Sequence, residues 1–203
     1  MFFRPRKRTR RSSLGIEQLE VRIVPTVTVH QTAGHLFITG DKAKDTVTVT
    51  GTDPGEVDVT HDGDTTSFTD VDDITISTGR GDDTVTVVDL DITGNLAIST
   101  GTGQDIVAVN DSDVDAERKI GGDLSVRTGL ASDEVSLDTI TVGGNTHVSL
   151  SDGKDTLTVS NCTFEGDFSA DGGNDRDTFV DGGGNDFMGD KVIKHLQRRT
   201  TMT

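Results

Sequence analysis

The chain has 203 residues and a formal net charge of −16, with 19 Lys and Arg against 35 Asp and Glu. That is the length of one domain with tails, and a body of this sign repels nucleic acid and anionic lipid and attracts cations. Cys162 is the single cysteine, which excludes an intrachain disulfide, and no run approaches the roughly 18 apolar residues of a membrane span.

The first segment, residues 1–25, is basic. Six Lys and Arg fall within the first eleven residues (Arg4, Arg6, Lys7, Arg8, Arg10, Arg11), and four more follow Asp190. No apolar stretch of about 7–15 residues stands behind this start, so it does not read as an ordinary secretory signal. The stretch Ile16 to Val24, IEQLEVRIV, resembles the LEPR-x-L-L type motif found near the N-terminus of large, repetitive, surface-exposed bacterial proteins, many of them planctomycete. Leu19, Glu20 and Arg22 match it. Val21 stands where Pro or Asp is usual, and Ile23 and Val24 replace leucines. The resemblance implies a targeting-type segment and an extracellular or cell-surface location.

Residues 26–76 alternate apolar and polar side chains less regularly, and read as N-terminal coils and a cap. Gly40 and Asp45 resemble the turn that recurs downstream. Residues 77–190 are regular. Asp83 is followed by Asp105, and Asp133 by Asp155 and Asp177, all at one fixed interval, while the step from Asp105 to Asp133 is longer by six. After most of these Asp residues come apolar pairs spaced by two, three to a coil at best, such as Leu157 and Val159, Cys162 and Phe164, Phe168 and Ala170 after Asp155. The coil after Asp177 breaks the pattern, with Phe179 followed by Asp181. Pairs at that spacing share one face of a strand. A Gly lies half a period before most of these Asp residues (Gly94, Gly122, Gly144, Gly166).

A fixed period of this size marks a solenoid. The expected fold is all-β: a parallel β-helix (β-solenoid) with about 22 residues and three short strands per coil. The six extra residues around Asn110 to Glu117 fit an acidic insertion at a corner. The stretch 191–203 is expected to be a C-terminal tail or a helical cap.

The recurring Asp closes a Gly-bearing turn, as in TGRGDDTVTV. These turns resemble the RTX nonapeptide G-G-x-G-x-D-x-U-x. Gly172 to Val180 matches four of its five fixed positions, with Asp175 in place of Gly, and Asp181 to Gly189 also matches four. Asp177 and Asp186 lie nine residues apart, the family spacing. The resemblance implies Ca²⁺ as a cofactor, with Asp83, Asp105, Asp133, Asp155, Asp175, Asp177 and Asp186 as metal ligands. The period here departs from that family, whose coil joins two nonapeptides. The competing reading makes each Asp a turn residue that accepts hydrogen bonds from nearby backbone N–H groups. Carboxylates stacked about 5 Å apart repel by about 1 kcal/mol per pair in water, so N–H groups or cations must offset the charge.

Catalysis has less behind it. Right-handed β-helices host polysaccharide lyases and hydrolases, and paired carboxylates can hydrolyse glycosides. Here the carboxylates repeat uniformly, no Trp or Tyr offers a sugar platform, and the five His share no metal or triad spacing. Cys162 falls on an inward position, as a small hydrophobe would. The expected function is a non-catalytic, exported, acidic β-solenoid with a structural or cell-surface interaction role. Its expected partners are calcium ions, cell-surface polymers or other solenoid copies, with no nucleic acid and no membrane span. The alternative is a polysaccharide-active β-helix enzyme.

Overall fold

The computed structural model describes residues 27–112 and 118–200. The targeting-type segment and residues 113–117 of the insertion lie outside them. The described residues form twenty strands and no helix. The first five are β1 (Thr28–Thr32), β2 (His35–Thr39), β3 (Thr46–Asp53), β4 (Glu56–His61) and β5 (Asp64–Phe68). Then come β6 (Asp73–Arg80), β7 (Thr84–Val88), β8 (Leu96–Thr102), β9 (Ile106–Asn110), β10 (Leu124–Leu130) and β11 (Glu134–Asp138). They are followed by β12 (Thr141–Val142), β13 (Thr146–Asp152), β14 (Thr156–Ser160), β15 (Thr163–Phe164) and β16 (Phe168–Asp171). The last are β17 (Asp177–Gly183), β18 (Asp186–Phe187), β19 (Lys191–Lys194) and β20 (Leu196–Thr200).

Three sheets form. The first runs β1-β2-β6-β8-β10-β13-β16-β19, the second β20-β17-β14-β11-β9-β7-β3-β4-β5, and the third β12-β15-β18. Pairing is parallel except at β1–β2, β3–β4 and β4–β5. The chain visits the sheets in turn, so each circuit adds one strand, a rung, to both large sheets.

Register follows the repeat. Leu124 pairs with Thr146, and Val135 with Leu157, one sequence period on in each case. Period-2 alternation then turns one side chain in two toward the space between the sheets. Val85, Val87, Val107, Val135, Leu137, Leu157 and Val159 are buried from the second sheet, and Leu96, Ile98, Leu124, Val126 and Val148 from the first. Ile92, Val142, Cys162 and Phe164 close the third side.

Irregular steps keep this register by placing the surplus residues between paired strands or, as β4 and β5, at the edge of the second sheet. Leu96 pairs with Leu124 and Val107 with Val135, a step longer than the period, and the surplus falls between β9 and β10. At its base Arg118 lies 3.6 Å from Asp89 and 3.4 Å from Asp111. Val47 pairs with Val85, a longer step still, and the surplus forms β4 and β5. The β4–β5 link is a two-residue hairpin at Asp62 and Gly63, both at positive φ (52° and 87°), the geometry a right-twisted hairpin needs.

Glycine is required where turns stack most closely. Gly101 and Gly129 have φ of 96° and 107°, and a Cβ on either would collide with the carbonyl oxygen of the glycine one rung before.

Of the tail or helical cap expected over 191–203, the described residues form neither a helix nor an unpaired tail. Residues Lys191–Lys194 and Leu196–Thr200 form strands that extend the two large sheets. An unpaired parallel edge recruits a strand wherever alternation allows one. The final rung puts cations at inward positions. Lys191 pairs with Phe168, and Arg198 with Phe179. The Lys191 ammonium sits 3.6 Å from the centre of the Phe187 ring, and burial lowers its pKa from the ordinary lysine value. Arg198 donates to Asp181 at 2.7 Å. Charge therefore closes the apolar interior at this end. No helix among the described residues is long and apolar enough to cross a membrane.

Leu137 is fully buried on β11, with paired strands on both sides. Leu137→Ala should cost about 2–5 kcal/mol of stability in urea denaturation, because the rungs on both sides hold the cavity open. A loss below about 1 kcal/mol would show that this interior is loosely packed.

Candidate functional site

The recurring aspartates form a column inside the fold. Positions two and four residues after each Asp point inward, and strand parity sends the Asp inward as well. Asp45, Asp83, Asp105, Asp133, Asp155 and Asp177 expose between 0% and 3% of their surface. They do not line an open edge, as a ligand-facing ladder would.

Backbone N–H groups hold them. The N–H of Asp45 donates to Oδ1 of Asp83 at 2.8 Å, and that of Asp83 to Oδ1 of Asp105 at 2.9 Å. Asp105 donates to Asp133 at 2.8 Å, Asp133 to Asp155 at 2.8 Å, and Asp155 to Asp177 at 2.9 Å. A second bond runs the other way at each step. The carbonyl of Asp83 accepts from Ile106, and that of Asp105 from Glu134, both at 2.9 Å. The column starts at Asp45, whose Oδ2 accepts the N–H of Asp41 at 3.0 Å.

The other oxygen of each carboxyl is orphaned. Oδ2 of Asp83, Asp105, Asp133, Asp155 and Asp177, and Oδ1 of Asp45, are buried without a hydrogen-bond partner. Beside the column, buried Thr78, Thr100 and Thr128 donate to carbonyls of the next rung at 3.2–3.3 Å. The Thr100 and Thr128 hydroxyls stand close enough to Asp105 and Asp133 to favour their ionised forms, without completing a bond to the free oxygen.

Burial dominates the electrostatics. It pushes Asp133 up to about 6 and Asp155 up to about 7, against the N–H bonds that pull them down. Asp45, Asp105 and Asp177 are raised for the same reason. Neighbouring carboxyls add to the rise, as Asp133, Asp177 and Asp175 do at Asp155.

A second ladder follows the first sheet on the exposed side. Asp73 Oδ1 accepts the N–H of Asn95 at 2.8 Å, Asn95 Oδ1 that of Asp123 at 2.8 Å, and Asp123 Oδ1 that of Asn145 at 2.7 Å. Asn145 and Asp167 continue it to Asp190 at 3.0 and 2.8 Å. From Asp73 to Asp167 it alternates Asp and Asn, which spaces its charges two rungs apart. Its signal in the sequence is the residue after each recurrent Gly, at Gly94-Asn95, Gly122-Asp123, Gly144-Asn145 and Gly166-Asp167.

Asp175 and Asp186 belong to neither ladder. Asp175 is exposed in the turn before β17, at a φ of 77°. Asp186 is exposed on β18 in the third sheet, while Asp177 opens β17 in the second. Ca²⁺ takes 6–8 oxygen ligands at 2.3–2.6 Å. Among the described residues no group of three His, Cys, Asp or Glu is placed to share a metal ion. In the column one oxygen of each carboxyl is already bonded and the other is sealed from solvent. Among the described residues, these side chains alone do not assemble a calcium site.

The remaining reactive side chains have plain surroundings. Burial raises the Cys162 thiol to about 11, away from reactivity. His35 bonds Thr75, His147 bonds Ser169 and His195 bonds Asp171, each on its own. No family model, curated protein or solved structure matches this chain.

Asp133→Asn keeps an oxygen for the Asp105 N–H and removes the charge, so stability at pH 8 should hold or rise. Asp133→Ala strands that buried N–H and should cost about 1–3 kcal/mol. Denaturant titration of both variants at pH 8 separates a bonded column from a passive one. Equal losses would contradict the bonding.

Proposed function

We propose that the chain is a β-solenoid of about 22 residues per coil with three short strands per coil. We read it as an exported, acidic, non-catalytic body with a structural or cell-surface interaction role. The observation that carries the reading is the column itself. The most regular chemical feature of the sequence, its repeated Asp, is spent inside the fold on holding successive rungs together. Chemistry consumed in this way builds a self-supporting body and leaves the outer faces for contact.

The outer faces suit that role. Thr, Ser and Asp alternate outward along the parallel strands, and the exposed Asp residues leave the body acidic. Such a surface stays soluble, resists nonspecific association with nucleic acid and anionic membranes, and meets cationic groups on cell-surface polymers. The basic segment at residues 1–25, with its resemblance to surface-protein targeting motifs, supports export.

The body should hold its shape without calcium. Small-angle scattering and far-UV circular dichroism of the full chain should give the same elongated particle and β spectrum in EDTA and in millimolar Ca²⁺. A coil that folds only on adding Ca²⁺ would overturn the self-supporting reading. Fractionation of the source cells, with protease added to intact cells, should find the protein outside the cytoplasm; a cytosolic pool alone would sink the export proposal.

A further inference from the structure

We propose that the buried carboxyl column centred on Asp105, Asp133 and Asp155 is a proton-holding site, so that the chain takes up protons as it folds and its sheets tighten as the solution moves from neutral to mildly acidic. The inference rests on the column's geometry, and it stands whether or not the body serves at a cell surface.

The geometry leaves the charge little compensation. Each carboxyl receives one backbone N–H on one oxygen, and its other oxygen is buried without a hydrogen-bond partner. An ionised carboxylate with a sealed, unbonded oxygen is costly, and protonation is the usual escape. Rungs about 4.8 Å apart bring like charges together along the column. An Asn would supply the same accepting oxygen without charge, and the exposed ladder uses Asn95 and Asn145 in this way. The buried column has Asp at all six positions.

The facing groups reinforce the effect. Asp41 and Asp62 act on Asp45, Asp82 and Asp83 on Asp105, and Asp105 on Asp133. Asp133, Asp177 and Asp175 act on Asp155, while Asp175 and Asp171 act on Asp177. At the Asp177 end, His195 opposes the rise. Thr100 and Thr128, from the first sheet, oppose the trend at Asp105 and Asp133.

The direction in pH follows. An unfolded Asp titrates near about 3.9. In the folded chain Asp133 and Asp155 hold their protons to about 6 and 7. Folded values above unfolded ones mean that the folded state binds more protons between these limits. The stabilisation is complete below the unfolded value and is lost as pH rises through the folded ones. Asp89, Asp171 and Asp181, which are lowered, act in the opposite sense at more acidic pH.

The test is proton counting on the full chain. Refolding at pH 6.5, followed by calorimetry in two buffers of different ionisation heat, should show net proton uptake of about one or more. Uptake should fall in the Asp133→Asn, Asp155→Asn double variant. The wild-type melting temperature should climb from pH 7.5 to pH 5, and the double variant should climb less. If the double variant fails to fold, infrared spectra of the native wild type at pH 6 decide: a protonated-carboxyl stretch resistant to deuterium exchange supports the proposal, and its absence overturns it. Equal uptake in wild type and a folded double variant, or no uptake, also overturns it. Millimolar Ca²⁺ that stabilises the fold and abolishes the uptake would make the column a cation site instead, and would equally refute proton holding.

Discussion

A backbone N–H donating to the carboxyl of the aspartate in the next rung holds this architecture in register. Parallel strands of alternating Val and Thr can slip by two residues without changing which face is buried. The aspartate removes that freedom. Asp105 is tied to Asp133 by its own N–H, and by its carbonyl to Glu134. Either bond breaks on a slip. The control persists where chain length varies: the step from Asp45 to Asp83 is 38 residues, and that from Asp105 to Asp133 is 28, yet both keep the bond at 2.8 Å. Surplus residues extend the second sheet as β4 and β5 or fall between β9 and β10, and the column continues.

The two ladders solve the same problem in different dielectrics. Near solvent, water screens charge, and the Asp73-to-Asp190 ladder mixes Asp with Asn. Inside, screening is weak; each aspartate of the row bonds one oxygen to an N–H, and burial raises Asp45, Asp105, Asp133, Asp155 and Asp177 toward the protonated form. The ladders also run in opposite senses. The buried column takes N–H groups from earlier rungs, and the exposed one takes them from later rungs. Each rung is thus gripped from both sides, which gives a low-hydrophobicity chain a fixed stacking geometry. The end of the stack follows the same logic, with Lys191 and Arg198 closing the interior through an aromatic ring and a carboxylate.

Much of this was legible in the residues. The spacing of Val135, Leu137, Ile140 and Val142 named the inward positions, and all four are buried. The regular return of Asp named the step between paired strands. The burial of Asp itself was also encoded, since a residue two before an inward Val shares its face; the charge suggested solvent, and parity decides. The nine-residue spacing of Asp177 and Asp186 does not stack the two residues, which open strands of different sheets. It implies stacked turns only when two nonapeptides make a coil, and here the second Asp begins a strand of the third sheet. The strands over Lys191–Thr200 were hidden because Lys191 and Arg198 share their inward positions with Ile193 and Leu196, which breaks the apolar alternation.

The bonding of the column can be measured directly by amide hydrogen exchange, resolved by residue. The N–H groups of Asp83, Asp105, Asp133 and Asp155 have side-chain carboxyls as their acceptors. They should exchange as slowly as the amides of the neighbouring core strands, and through the same global opening. Fast exchange at these four positions, with the strands still protected, would show that the carboxyls do not hold the rungs together.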